Sequence, residues 1–284
     1  MTLNITVFSK DFIIQGSDRC MSVDRVPVEE WNKEVVFRSE RLGAVLTYTG
    51  VAGRLEREEV GDWAGMAKPS GTADSLAQRI GRAEGAKWDL RELARQIRQA
   101  ADDLFSALPQ AWLDRRTALT LAGWDRASAQ PGGYHIHNCL DEHARMTSVC
   151  RSAFAIQAMD LSQPDHYAGI SDAVQRRHRK RIRQAVRSGV PAERIVDLIV
   201  KAFRSAASVE PRISYDCLTI LLPPTGNLQA KFHSESSIVH GPTTVECGRD
   251  CAVVSAGTVA KIPKGTSVWL GDHSVGPVTE VSRG

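Results

Sequence analysis

The sequence predicts an α+β fold: a four-layer sandwich in which two antiparallel sheets lie between outer helices, followed by a C-terminal β-rich extension. Three observations predict it. Four short β-rich runs joined by short turns occupy the first fifty residues, the pattern of an antiparallel sheet. Segments of helical period are then inserted between further strand runs, so that helix pairs would cover stacked sheets from outside. A strongly apolar strand, Ile213–Leu222 (ISYDCLTILL), closes the alternation at Pro223-Pro224-Thr225-Gly226.

The elements follow in order. Ile5 and Val7 mark the first strand and Phe12-Ile13-Ile14 the second, with Ser9-Lys10-Asp11 between them as a hairpin-like turn. Val35-Val36-Phe37 and Ala44–Tyr48 are the third and fourth, the latter ending at Thr49-Gly50. Residues 51–74, rich in Gly, Glu and Asp, read as an irregular connection. From Asp74 the period becomes helical, with Leu76 and Ile80 one turn apart. A second helix begins near Asp89, which can cap it, with Glu92 completing a capping box. Leu90, Leu93, Ala94, Ile97, Ala101, Leu104 and Phe105 then form one apolar face.

Thr117–Trp124 (TALTLAGW) alternates as a strand. Asp125–Gly133, with Pro131-Gly132-Gly133, reads as a hairpin loop, and Tyr134–Cys139 as the partner strand. Helical signals run from about Ile170 to Ala207, broken at Ser188-Gly189-Val190-Pro191. Residues 1–226 are read as one domain. Residues 227–284 are read as the extension, with β-like pieces at Ala252–Ala256 and Ser267–Leu270.

Bulk composition excludes several classes. A chain of 284 residues with 42% hydrophobic content can bury a full-sized core without staples. A net charge of +3 is too small to argue for nucleic acid. The N-terminus lacks the basic and apolar regions of a signal peptide, and no apolar run reaches membrane-span length. The six cysteines are scattered, the expectation for reduced cytoplasmic thiols. Only Cys247 and Cys251 are close enough to suggest a pair, with no second pair at zinc-ligand spacing.

Several motifs, in this order, resemble the proteasome β-subunit family of N-terminal-nucleophile (Ntn) hydrolases, of bacterial type. They are Thr2, FIIQGSDR (Phe12–Arg19), Lys33 before a short strand, LTYTG (Leu46–Gly50), LAGWD (Leu121–Asp125) followed by GGYHIHN, and ISYDCLTILLPPTG. The resemblance covers most of residues 2–226 and implies an Ntn-like αββα sandwich. It also implies that Thr2, exposed once Met1 is removed, is the nucleophile. Its own α-amine titrates near neutrality and can take the hydroxyl proton, so nucleophile and base share one residue.

By the same resemblance, Asp18, sixteen residues after Thr2, is the acid that holds the catalytic lysine. Lys33 is the candidate for that lysine, whose ammonium would lower the hydroxyl pKa and stabilise the oxyanion. It stands one residue early relative to the family's spacing. Along a strand such a slip reverses the side chain, and Glu34 then occupies the nominal position. The Gly50 amide could donate to the oxyanion. Two departures stand out. Where the family has a Gly-Ser-Gly loop the chain has Ser152-Ala153-Phe154-Ala155-Ile156. Where it has an Asp and a Ser after the last long helix, the chain supplies only Ser208.

Two other features carry weaker chemistry. His135 and His137 share a strand face, as metal ligands can, with Asp141 and His143 nearby in sequence but no third firm ligand. Gln175–Arg187 (QRRHRKRIRQAVR) is a basic stretch able to track phosphates, but no aromatic residue interleaves for base stacking.

The sequence therefore predicts a threonine-type Ntn hydrolase that cleaves peptide or other amide bonds within a self-assembled homo-oligomeric ring in the cytoplasm. It needs no metal or organic cofactor and could work with a partner ATPase. The alternatives are a catalytically silent proteasome-like subunit with an assembly or binding role and, more weakly, a basic nucleic-acid-binding protein. Nucleic acid and membrane partners are not expected.

Overall fold

The three-dimensional structure, a computed structural model, describes residues 3–23, 26–28, 33–50, 89–106, 116–141, 147, 150–225 and 228–233, and beyond them the strands named below. The helix expected from Asp74, the connection before it, Thr2, His143 and Cys251 lie outside the described residues.

Period-two segments form the opening strands, β1 (Leu3–Phe8) and β2 (Ile13–Asp18). Their turn is held by Ser9, whose amide donates to the Phe12 carbonyl at 2.9 Å and whose Oγ accepts from the Asp11 amide at 3.3 Å. Next come β3 (Met21–Val23), β4 (Val26–Val28), β5 (Glu34–Arg38) and β6 (Leu42–Gly50). Helix α1 (Leu90–Ser106) follows. Asp89 caps it, its Oδ1 accepting from the Glu92 amide at 2.7 Å, while the Glu92 carboxylate turns to Arg95 and Gln96.

The middle of the chain supplies β7 (Thr117–Asp125), β8 (Gln130–His137), β9 (Ala155–Ala158) and β10 (Asp165–Gly169). Helices α2 (Arg176–Arg187) and α3 (Ala192–Ala207) come after a 3₁₀ turn at Ser171–Ala173. Gly189, at φ +64°, reverses the chain between them. Then come β11 (Cys217–Leu222), β12 (Gln229–His233), β13 (Ile238–His240), β14 (Thr243–Cys247), β15 (Ala252–Ser255), β16 (Val259–Lys261), β17 (Ser267–Leu270) and β18 (Glu280–Ser282).

These strands build two seven-stranded sheets, ordered β10-β1-β2-β11-β12-β17-β18 and β15-β14-β5-β6-β7-β8-β9, plus the ribbons β3–β4 and β13–β16. The first sheet turns Leu3, Ile5, Val7 and Ile14 toward α2 and α3, where they join Ile195, Ile199 and Phe203 in one core. Its other face supplies Phe8, Ile13, Leu218 and Ile220 to a second core with Val36, Val45 and Trp124 of the second sheet. Polar side chains also bridge the sheets. Gln15 Nε2 donates to Thr47 Oγ1 at 2.8 Å and to the Thr120 carbonyl at 2.9 Å, and Trp124 Nε1 donates to the Leu222 carbonyl at 3.0 Å.

The expected four-layer sandwich of purely antiparallel, helix-covered sheets is corrected. Strand β14 pairs with β5 in parallel, Thr243 opposite Val35. Among the described residues there are three α-helices, whose main contacts fall on some strands of each sheet. Helix α1 lies against β7, β8 and β9, and α2 and α3 against β10, β2 and β11. A helix-covered four-layer arrangement is therefore not shown. The cause is non-local: β12, β17 and β18 widen the first sheet while β14 and β15 widen the second, and the main contacts of the described helices fall on other strands.

The reading of Pro131-Gly132-Gly133 as a loop is also corrected. These residues lie within β8, opposite Trp124, Gly123 and Ala122, and the turn is confined to Arg126–Ala129. The glycines serve close packing instead. A Cβ on Gly132 would meet Leu90 of α1 at 2.6 Å, and one on Gly133 would meet the Met159 sulfur at 2.6 Å and the Phe8 ring at 2.7 Å.

Candidate functional site

The site is built at the end of β2 and the start of β5. Asp18, the last residue of β2, is fully buried and gathers three backbone amides. Its Oδ1 accepts from Leu3 at 2.8 Å, and its Oδ2 from Cys20 at 2.9 Å and Ser214 at 3.2 Å. Lys33, also fully buried, brings its ammonium to 3.5 Å from both carboxylate oxygens and donates to the Cys20 carbonyl. Desolvation lowers the Lys33 pKa against the pull of Asp18. The structure thus brings Asp18 and Lys33 together despite the one-residue offset. Lys33 sits ahead of the first ladder residue of β5, so strand alternation does not dictate its direction.

Glu34 and Arg19 were not singled out as site residues by the sequence, yet they are part of the same cluster. Both side chains are fully buried, with Arg19 Nη1 3.6 Å from Glu34 Oε2. Ser17 Oγ donates to Glu34 Oε1. Desolvation raises the Glu34 pKa to about 7, against the opposing effects of Arg19 and Ser17, and burial lowers that of Arg19. The Arg19 guanidinium also stands over the Phe232 ring at 5.6 Å. The only local signals were an Asp-Arg pair, which normally reads as solvated, and a carboxylate beside the apolar run Val35-Val36-Phe37.

The other anticipated residues are placed as follows. Gly50 closes β6 opposite Thr117. It stands three residues past Thr47, the partner of Glu34, hence about 10 Å along the strand at the same end of the sheet as Lys33. Ser208 follows α3 and is exposed, its hydroxyl donating to the Ser205 carbonyl at 2.8 Å. In the stretch standing where the family has Gly-Ser-Gly, the Phe154 amide donates to Asp102 of α1 at 2.7 Å and its ring meets Phe105 edge-on. Gly16 lets α3 pack against β2, since a Cβ there would meet the Phe203 ring at 3.1 Å.

His135 and His137 are buried in β8 rather than displayed. His135 Nδ1 faces Thr120 Oγ1 at 3.4 Å, and His137 Nδ1 accepts from the Leu140 amide at 3.0 Å. Among the described residues no group of three or more His, Cys, Asp or Glu side chains could hold a metal ion. In α2, Arg183 pairs with buried Asp165, and Arg179 stacks 4.4 Å over Tyr167, while Arg176, Arg177, Lys180, Arg181 and Arg187 are exposed. No described helix is long and apolar enough to cross a membrane.

Burial lowers the pKa of His135 and of His233 from 6.5 to about 3. Both are neutral in the fold and bind protons more readily when unfolded. Their contribution is therefore complete above about pH 6.5 and lost progressively as pH falls toward 3. Glu34 acts with the opposite sign, its contribution fading as pH rises from 4.5 through about 7. Denaturant midpoints measured against pH should fall steeply below pH 6. In His233→Gln, which can still donate to Thr219 Oγ1, that slope should flatten.

No family model and no curated protein matches the chain. Solved structures do. Anbu (ancestral β-subunit) from Yersinia bercovieri aligns at 13% identity over 78% of this chain and 81% of that one, with a TM-score of 0.53. A Gly-1 mutant of Anbu from Hyphomicrobium sp. strain MC1 aligns at 11% over 80% and 84%, TM-score 0.55. Anbu from Pseudomonas aeruginosa, solved as a helical assembly, aligns at 12% over 78% and 84%, TM-score 0.53. The chain has the proteasome-like Ntn fold. The narrower resemblance to bacterial proteasome β-subunits is corrected, because these neighbours belong to the distinct Anbu family.

Proposed function

We propose that the chain is a threonine-type Ntn hydrolase that cleaves peptide or other amide bonds. One observation carries this reading. Asp18 grips the Leu3 amide, the nitrogen of the Thr2–Leu3 peptide bond, with the same carboxylate that faces the Lys33 ammonium. That arrangement fixes the start of β1 to the buried ion pair, where an N-terminal nucleophile needs a cation.

In the proposed mechanism Met1 is removed and the free amine of Thr2 takes the hydroxyl proton as Oγ attacks the substrate carbonyl. Lys33 favours the developing alkoxide, Asp18 orients Lys33, and the Gly50 amide donates to the oxyanion. The amine then returns its proton to the leaving nitrogen as the C–N bond breaks. Water, deprotonated by the same amine, attacks the acyl carbon, and the amine passes that proton to Thr2 Oγ as the C–Oγ bond breaks. Ser208 would support the amine only after its hydroxyl leaves the Ser205 carbonyl.

The reading keeps the catalytic residues within 1–226 and gives 227–284, whose strands complete both sheets, a further role at subunit contacts. The helical assembly of the P. aeruginosa Anbu complex supports a homo-oligomer for this chain. A cytoplasmic location, ring closure and a partner ATPase belong to the same proposal. One arrangement favours the catalytically silent alternative: Phe154, tied to Asp102 and Phe105 of α1, anchors the stretch that stands where the family has Gly-Ser-Gly. Intact mass and a hydroxyl-reactive covalent probe decide between them. Loss of Met1 with a single adduct on Thr2 is expected. Retained Met1 and an unlabelled chain would favour the silent subunit.

A further inference from the structure

The charges around Lys33 exceed what one ammonium–carboxylate pair requires. Asp18, Lys33, Glu34 and Arg19 form a fully buried run of alternating sign, in which Lys33 and Glu34 are neighbours in the chain. None of the three Arg19 side-chain nitrogens has a hydrogen-bond acceptor among the described residues, and Glu34 is the carboxylate at ion-pair distance from it. Removing the Glu34 charge would leave Arg19, beside Lys33 and Asp18, without the carboxylate at ion-pair distance, with Asp216 acting on it from farther away. Buried cations of like sign without compensation are costly, and the lysine is the one able to release its proton.

We propose that Glu34 is a positioning residue for Lys33: anchored by Ser17 and balancing Arg19, its carboxylate holds the Lys33 side chain as an ammonium against Asp18. Its role in turnover rests on the hydrolase reading above, but its effect on Lys33 does not. The end of β2 and the turn after it contribute Ser17, Asp18, Arg19 and Cys20. Tyr48 of β6 and Asp216, ahead of β11, act on Arg19 in the same sense as Glu34, favouring its charged form. Of these, Arg19 opposes a charged Lys33, whereas Asp18, Cys20 and Glu34 favour it. Asp18 is held by three backbone amides, whereas burial raises the Glu34 pKa to about 7 against Arg19 and the Ser17 hydroxyl, so the Glu34 charge is the one that changes near neutrality.

The test is the titration of the Lys33 Cε resonance in protein labelled with ¹³C-lysine, assigned through Lys33→Arg. Glu34→Gln keeps the shape and an acceptor for Ser17 but loses the charge. The Lys33 midpoint should fall by about one pH unit, a tenfold loss of proton affinity, and Arg19→Met added to Glu34→Gln should restore most of it. An unchanged midpoint in folded Glu34→Gln overturns the proposal. Should that variant fail to fold, the wild-type chain serves. While Lys33 is still charged, its Cε shift should inflect as Glu34 ionises near neutrality, and a flat curve there refutes the coupling. With an amide substrate, the alkaline limb of kcat/KM should move with the Lys33 midpoint. A shifted midpoint in a protein without activity sinks the hydrolase reading alone. Activity with an unshifted midpoint sinks this one alone.

Discussion

Asp18→Ala should lower the stability of the folded chain by about 3–5 kcal/mol, because it strands a buried ammonium rather than merely deleting a contact. Asp18 compensates Lys33 at 3.5 Å with both side chains fully buried. The same carboxylate accepts the amides of Leu3, Cys20 and Ser214, which come from β1, the turn after β2 and the segment before β11. Truncation leaves three amides without that acceptor as well as a cation without its counter-ion. Each stranded amide adds on the order of 1 kcal/mol unless water replaces the carboxylate. The measurement is a denaturant midpoint at constant m-value, since a changed slope would signal a changed denatured state. Adding Lys33→Met should recover part of the loss, because the neutral side chain needs no partner. A loss below about 1 kcal/mol in the single variant would mean that the pair is solvated and that the site is not built as described.

The second large effect is on activity. Thr2→Ala should reduce amide hydrolysis on the order of 10⁴- to 10⁶-fold, the scale seen when a covalent nucleophile is deleted from a working constellation. Thr2→Ser should retain a measurable fraction, since it keeps both the hydroxyl and the α-amine on one residue. The two variants together separate nucleophilic chemistry from binding. Equal activity in Thr2→Ala and the wild type would end the hydrolase reading, whatever the fold. The Ala variant should also lose the covalent adduct while keeping the wild-type unfolding midpoint.

Parts of this site were legible in the sequence because they depend on local spacing. Asp18 follows Gly16-Ser17 at the end of a β-rich run, and Lys33 precedes another, so their strands could be named without coordinates. Their meeting depends on how β5 enters its sheet relative to β2, and the one-residue offset of Lys33 argued against it. Glu34 and Arg19 were illegible for a different reason. A charged side chain at a strand end is ordinarily solvated, and nothing within a few residues signals that a second sheet will cover it. The same holds for His135 and His137, whose alternation placed them on one strand face without saying whether that face is covered, and which are buried.

Local chemistry by itself determined the β1–β2 hairpin, the Asp89 cap of α1, the break at Gly189 between α2 and α3, and the apolar run of β11. Each depends on backbone conformations or periodicities set within a few residues. Only the tertiary structure decided the parallel pairing of β14 with β5, the widening of both sheets by strands after residue 228, and the packing role of Gly132 and Gly133. It alone enclosed Asp18, Arg19, Lys33 and Glu34 together. These depend on contacts between distant segments, and burial turns ordinary surface charges into a coupled cluster because low-dielectric surroundings leave them only one another for compensation.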